Sequence, residues 1–144
     1  MPYIIVDGDV LEAKEPLMHQ CNCVTRSAAG IASDIFKKYP QANCYVNRWQ
    51  PSKPGTIATY TADDRVIINA MAQYYPGGPR KNDTLKMRRE WFIACLNAIP
   101  LEHYPIAVPY GIGCGMARGK WEEYLALLND APGLIYVYRR KLVQ

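Results

Sequence analysis

VPYGIGCGMARGKWEEY, residues 108–124, leads from the end of a short apolar run, through glycines at every second position, into an amphipathic stretch. Gly111, Gly113 and Gly115 alternate with Ile112, Cys114 and Met116, so the main chain there carries few obstructing side chains. A strand followed by a glycine loop and a helix start leaves bare N–H groups at the positive end of a helix dipole, an arrangement suited to phosphate. Glycines that merely permit a turn are the other reading, and a Gly-x-Gly-x-Gly run alone does not separate the two. Its surroundings do.

Ahead of this loop, PIAVP reads as a short buried strand; behind it, KWEEYLALLND reads as a helix closed by APG, and LIYVY as the last strand. Further upstream, TLKMRREWFIACLNAI, capped by Asn82 or Asp83, places Met87, Trp91, Cys95 and Ala98 on one helical stripe facing a sheet. PGTIATYTADDRVIINAMA reads as two strands joined by the turn TADD, the second nearly all apolar from Val66, and YYPGGPRKND is a loop by composition. In GIASDIFKKYPQA the spacing of Ile31, Ile35, Phe36 and Tyr39 predicts a core-facing helix that begins near Ser27 or Gly30 and stops at Pro40. LMHQCNCV reads as a strand, and YIIV as a buried strand ended by the turn DGD. Strands alternating with helices in this order predict an α/β layered domain with a largely parallel central sheet.

The bulk composition agrees. The chain has 144 residues, room for a single domain over 1–144, with 49% apolar and 21% charged residues. No segment approaches the roughly 18 uncharged apolar residues of a membrane span, and the opening MPYIIVDGDV does not read as a secretory signal, so a cytoplasmic address is expected. The five cysteines lack the paired spacing of a disulfide framework or zinc ribbon. His19, Cys21 and Cys23 would share a strand face, but no second cluster completes a tetrahedral metal site, and no metal is expected. The net charge of +4 is uneven: residues 7–15 are acidic, while Arg80, Lys81, Lys86, Arg88 and Arg89 form a basic cluster, a surface that would suit a ligand with an anionic middle or, as the favoured reading, a solvated helix face. Arg139, Arg140 and Lys141 read as a frayed basic tail. Nucleic-acid binding is a weak reading, because the basic residues are not interleaved with aromatics along one element.

In an α/β sheet, ligands gather beyond the carboxyl ends of strands, where loops run into helix N-termini. A second loop of that kind is CNCVTRSAAG, in which Ser27, Ala28, Ala29 and Gly30 precede Ile31 at a helix start and offer amides to the same anion. Asn22 within it suits a sugar diol, or forms a turn.

VDGDVL, HQCNCV, AAGIA, KKYPQA and PYGIGCGMARGKWEEY together resemble the macrodomain of ADP-ribose-binding proteins. The likeness is to the compact branch that includes ADP-ribose 1″-phosphate phosphatases and ADP-ribosyl-glutamate hydrolases. The resemblance implies a three-layer α/β/α sandwich with a mixed, largely parallel sheet, and no cofactor. Its implied ligand is ADP-ribose or a derivative, free or attached to protein. It implies that Asp9 accepts from the adenine amino group beside the Val10 amide, that Asn22 holds the distal ribose, and that Tyr138 walls the adenine. The main chains of Ala28–Ile31 and Gly111–Met116 would clasp the diphosphate and distal ribose.

Departures bear on the chemistry. The lysine and aspartate of the glutamate-hydrolase branch are unmatched in IINAMAQ and GMAR, where Ala117 stands in place of the acid. The phosphatase branch carries a histidine just ahead of Cys-Asn-Cys, matched by His19 and Asn22, so these two are the candidate catalytic pair, with ADP-ribose 1″-phosphate as the expected substrate. Against His19 stands strand alternation, which turns residues three apart to opposite faces; a core histidine is the other reading. Tyr74, Tyr75 and Tyr110 are candidate stacking partners, and the 74–83 loop a candidate lid with Arg80 or Lys81 meeting a terminal phosphate. A non-catalytic ADP-ribose-binding module and a de-ADP-ribosylating hydrolase are the alternative functions.

Overall fold

The computed structural model describes residues 3–140; Lys141, read as part of a basic tail, lies outside them. Its strands are β1 (Tyr3–Asp7), β2 (Leu17–Asn22), β3 (Ile57–Ala62), β4 (Arg65–Gln73), β5 (Ile106–Pro109) and β6 (Ile135–Arg139). Three helices, α1 (Gly30–Lys38), α2 (Leu85–Ala98) and α3 (Trp121–Asn129), alternate with them. The six strands form one sheet in the order β1-β6-β5-β2-β4-β3, parallel throughout except for the β3–β4 hairpin, so the sheet is mixed and largely parallel. Asp63 and Asp64 turn that hairpin with φ of 51° and 66°, the two positive values that match strand twist.

Layering follows from the period of two. In β4, Ile67 and Met71 face the core beneath α1, while Ile68, Ala70 and Ala72 face the core beneath α2 and α3. β2 divides likewise, Leu17 and Cys21 to the first side and Met18 to the second. A sheet apolar on both faces must be covered on both, which gives three α/β/α layers. No helix among the described residues is long and apolar enough to cross a membrane.

Five local expectations are corrected. Ile31, expected on the core-facing stripe of α1, is exposed, and Arg139, read as part of a frayed tail, is the last residue of β6 and pairs with Asp7. YIIV forms a strand, but at the sheet edge, with Ile4 and Ile5 exposed rather than buried. α2 is capped by Thr84, whose hydroxyl accepts the Met87 N–H at 3.1 Å; Asn82 and Asp83 do not cap it. Its buried stripe is Arg88, Phe92, Cys95 and Leu96, one residue round from the predicted one, so Cys95 is core while Ala98 is exposed.

Because β2, β4 and β5 run parallel, their carboxyl ends open on the same rim of the sheet. Residues 23–29, 74–84 and 110–120 leave from those ends. The site lies among them.

Candidate functional site

A cavity of about 450 Å³ opens at this rim, within the size range of small-molecule sites. Of the residues singled out by sequence, it brings together Asn22, Ser27, Ala29, Gly30 and Ile31 on one wall. Tyr110, Gly111, Ile112, Gly113, Cys114, Gly115 and Met116 line the other. The described lining contains no Asp, Glu, Lys, Arg or His.

The first wall is built by the start of α1. Gly30 opens the helix with φ of +60°, after Ala29 in extended backbone, and no side chain caps the N-terminus. The N–H groups of the first turn therefore have neither a helical nor a side-chain acceptor. On the second wall the loop is wound by its own hydrogen bonds, Cys114 N–H to Gly111 O at 2.8 Å and Gly119 N–H to Gly113 O at 3.0 Å. The amides of Gly113, Gly115 and Met116 have no backbone acceptor among the described residues. Gly111 and Gly113 sit at φ of 81° and 79°, where a side chain would be strained. Cys114, half-buried just after Gly113, has its thiol pushed up to about 11 by burial and by Glu122 and Glu123, so it stays protonated.

Asn22 forms a turn and keeps one donor group uncommitted. Its Oδ1 accepts the N–H groups of Val24 (3.0 Å) and Thr25 (2.9 Å) and the Thr25 hydroxyl (3.1 Å), which makes it the turn-former. Its own N–H donates to the Tyr45 hydroxyl at 2.8 Å, and its carbonyl accepts from Arg48 Nη2 at 3.0 Å. Only the Nδ2 group, with a long 3.4 Å contact to Tyr45, keeps donor capacity for a ligand.

His19 is not brought to this cavity. It is fully buried beneath α1, its Nε2 2.5 Å from Asn69 Oδ1 and its ring edge-on to Phe36 at 5.3 Å. Burial, only partly offset by the Asn69 hydrogen bond, pushes its pKa down to about 4, so it is neutral near pH 7. The register of β2 against β4 slips after Cys21, pairing Asn22 with Gln73, but the slip comes too late to turn His19 round.

Asp9, Val10, Ala28 and Tyr138 also lie outside the lining. Asp9 caps a 3-10 turn through the Leu11 N–H at 2.9 Å, and its other oxygen meets Arg140 at 3.3 Å. Val10 is core. Tyr138 donates its hydroxyl hydrogen to Glu15 at 2.7 Å and packs its ring near Gly8. Ala28 faces a shallow neighbouring depression with Phe36 and Lys37. Tyr74 and Tyr75 stack edge-on with each other, and Arg80 lies 4.5 Å from the Tyr75 ring, which puts these three outside the lining as well.

The sequence reading missed Gln20, Tyr45, Gln73 and Gly77, all in the lining. Gln73 Nε2 donates to the Tyr75 carbonyl at 2.8 Å, and its Oε1 accepts from Gln20 Nε2 at 2.7 Å. A glutamine inside each of two apolar strand runs was the available signal; Tyr45 gave none.

No family model matches the sequence, and no curated protein does. Solved structures do match the fold. The macrodomain of Mycobacterium tuberculosis DarG superposes with a TM-score of 0.69 at 22% identity, over 97% of this chain and 98% of that one. The macrodomain of Thermus aquaticus DarG gives 0.67 at 22% identity over the same shares. An alphavirus P23pro-zbd structure gives 0.64 at 16% identity, over 95% of this chain and 21% of its own. Six strands in this order, three covering helices and end-to-end superposition on both DarG domains identify the fold of this chain as the macrodomain fold.

Proposed function

We propose that the chain binds ADP-ribose in the rim cavity and acts as a recognition module for it. One observation carries the reading: two sets of backbone amides without acceptors, at the start of α1 and at Gly113–Met116, border a single cavity with no charged side chain in its described lining. Dipoles fixed by the fold hold a diphosphate without a cation whose own desolvation would have to be offset. Asn22 Nδ2 supplies a donor for a ribose hydroxyl, and Tyr110 an apolar face. The macrodomain fold shared with the two DarG domains agrees with the family resemblance that implies this ligand. Adenine is assigned to the Asp9–Val10 turn on the family resemblance alone. An ADP-ribosylated protein is the partner that would present the ligand.

Phosphate release from ADP-ribose 1″-phosphate rested on His19 and Asn22 acting together. With His19 in the core and neutral, the proton donor that reaction needs has no assigned residue, so recognition is placed ahead of turnover. Calorimetry with ADP-ribose tests the proposal, followed by phosphate release from ADP-ribose 1″-phosphate and removal of ADP-ribose from modified protein. Binding without turnover is expected. Absence of binding removes the proposal; turnover restores the hydrolase reading.

A further inference from the structure

We infer that Arg88 sets the gap between the two loops that flank the cavity, which makes it a positioning residue for the bound anion; its role in affinity rests on the ADP-ribose reading above. Arg88 belongs to the cluster expected to be a solvated face, yet it is fully buried. Its Nε and Nη2 grip Asp83 at 2.8 and 2.7 Å, a bidentate pair in which neither side chain is exposed. The remaining donors go to main-chain carbonyls: Nη1 to Gly77 at 2.8 Å and Ala117 at 3.3 Å, Nη2 to Gly78 at 3.1 Å and Tyr75 at 3.2 Å. Gly77 and Ala117 both line the cavity, from loops 40 residues apart in the chain.

One guanidinium plane thus bonds to two loops of the rim, 74–84 and the glycine loop that forms the second wall. Its donors diverge at fixed angles, so the Gly77–Ala117 distance is tied to a rigid fork rather than to flexible side chains. Asp83 completes the device. Burial opposes its ionisation, but the hydrogen bond from Arg88 and the amides of Tyr75 and Tyr74 outweigh burial and hold it below the ordinary carboxylate range. The Tyr75 N–H reaches it at 2.7 Å, so the 74–83 loop is bound through its carbonyls by Arg88 and through its amide by Asp83. That makes the loop a fixed wall, where sequence composition suggested a lid. The contacts of α2 with the sheet core run through Phe92, Cys95 and Leu96, which do not depend on the fork. Buried ion pairs contribute little net stability against apolar replacements, so geometric specification is the physical gain this pair offers.

Arg88→Lys separates these roles, because an ammonium keeps the charge beside Asp83 but cannot span both loops. The expected result is an ADP-ribose affinity about tenfold weaker, with unfolding still cooperative and a denaturant midpoint below that of the parent, because buried carbonyls lose their donors. Amide hydrogen exchange, followed without ligand, should quicken at 75–78 and 115–118 and stay unchanged in β2 and β5. Asp83→Asn, which keeps one acceptor oxygen but puts an NH2 donor where the other accepts and removes the charge, should quicken exchange over the same loop segments and serves if Arg88→Lys does not fold. Unchanged affinity with unchanged loop exchange, or exchange quickened throughout the sheet, overturns the inference. If the parent protein does not bind ADP-ribose, the proposed function fails by itself, and the exchange experiment still decides whether Arg88 fixes the loops.

Discussion

Gly113 lies against the ring of Tyr124: a Cβ built on the glycine would fall 2.5 Å from Tyr124 Cε2, with the backbone at φ of +79°. Tyr124 is itself buried, edge-on to Phe92 at a centroid distance of 5.0 Å, so the ring cannot retreat without disturbing the core between α2 and α3. The glycine loop is thereby seated on the helix it introduces.

Gly113→Ala should cost about 2–4 kcal/mol, the sum of a left-handed backbone penalty and an overpacked contact. Gly115 offers the control. It has no atom within 4 Å of the added Cβ and no positive φ, so Gly115→Ala should leave stability within about 0.5 kcal/mol. If a diphosphate approaches this backbone, Gly115→Ala should still weaken ADP-ribose binding through steric contact with the ligand. Urea unfolding and calorimetry on both variants check this. Equal stabilities for the two would contradict the seating on Tyr124, and full affinity in folded Gly115→Ala would remove the ligand from this loop.

His19 predicts an acid limb of stability. The folded pKa is lowered from 6.5 to about 4, so between those values the unfolded chain takes up a proton that the native state refuses. Stability therefore falls as pH drops below 6.5 and keeps falling until the native histidine itself protonates near 4. From pH 6.5 to about pH 5, before most carboxylates titrate, the loss should reach about 2 kcal/mol, at roughly 1.4 kcal/mol per unit. His19→Gln, which keeps a donor for Asn69 but cannot titrate, should flatten that interval. Urea midpoints across the interval measure it, and parallel curves for parent and variant would count against a buried neutral histidine.

What could be read from sequence was what the main chain itself does. GIGCG and SAAGI advertise bare backbone at strand-to-helix junctions, because small residues report a conformational need directly. The alternation in LMHQC spoke against pairing His19 with Asn22 without deciding it, and His19 lies in the core. Tertiary context decided the rest. YIIV is apolar enough for a strand, but nothing in four residues tells that it pairs on one side only. α2 carries apolar residues on both sides of its true stripe, Trp91 and Met87 beside Phe92 and Leu96, so the period was legible and its phase was not. Arg88 was illegible for a stronger reason: charge reads as exposure, and four of its partners are carbonyls, which any residue possesses.

The thiols should differ sharply in reactivity. Cys44 is half-buried, and its pKa lies below the ordinary 9.0, chiefly through a hydrogen bond from Cys21, with Arg48 adding to the effect against burial. Burial pushes Cys21 well above 9.0, and Cys23 and Cys95 up to about 12. Iodoacetamide at about pH 8 should therefore label Cys44 first, Cys114 more slowly, and the other three only on unfolding. Peptide mass spectrometry over time reads the order. Early labelling of Cys23 or Cys95 would contradict the packing of both sheet faces.

Asn22 allows its two roles to be taken apart by one atom. Asn22→Asp keeps the oxygen that accepts from Val24 and Thr25, so the turn after β2 should persist and stability should change by less than about 1 kcal/mol. It removes the Nδ2 donor and places a negative charge beside amides proposed to hold an anion, so ADP-ribose affinity should drop by tenfold or more, about 1.4 kcal/mol. Asn22→Ala removes both functions; three acceptor contacts vanish together, leaving the Val24 and Thr25 amides unpaired, and stability should fall by about 1–3 kcal/mol. The diagnostic result is the reversal of order: alanine worse for stability, aspartate at least as damaging to binding. Thermal unfolding paired with calorimetry reads both axes on the same samples. An aspartate variant that binds like the parent would mean that Asn22 shapes its loop and does not touch the ligand.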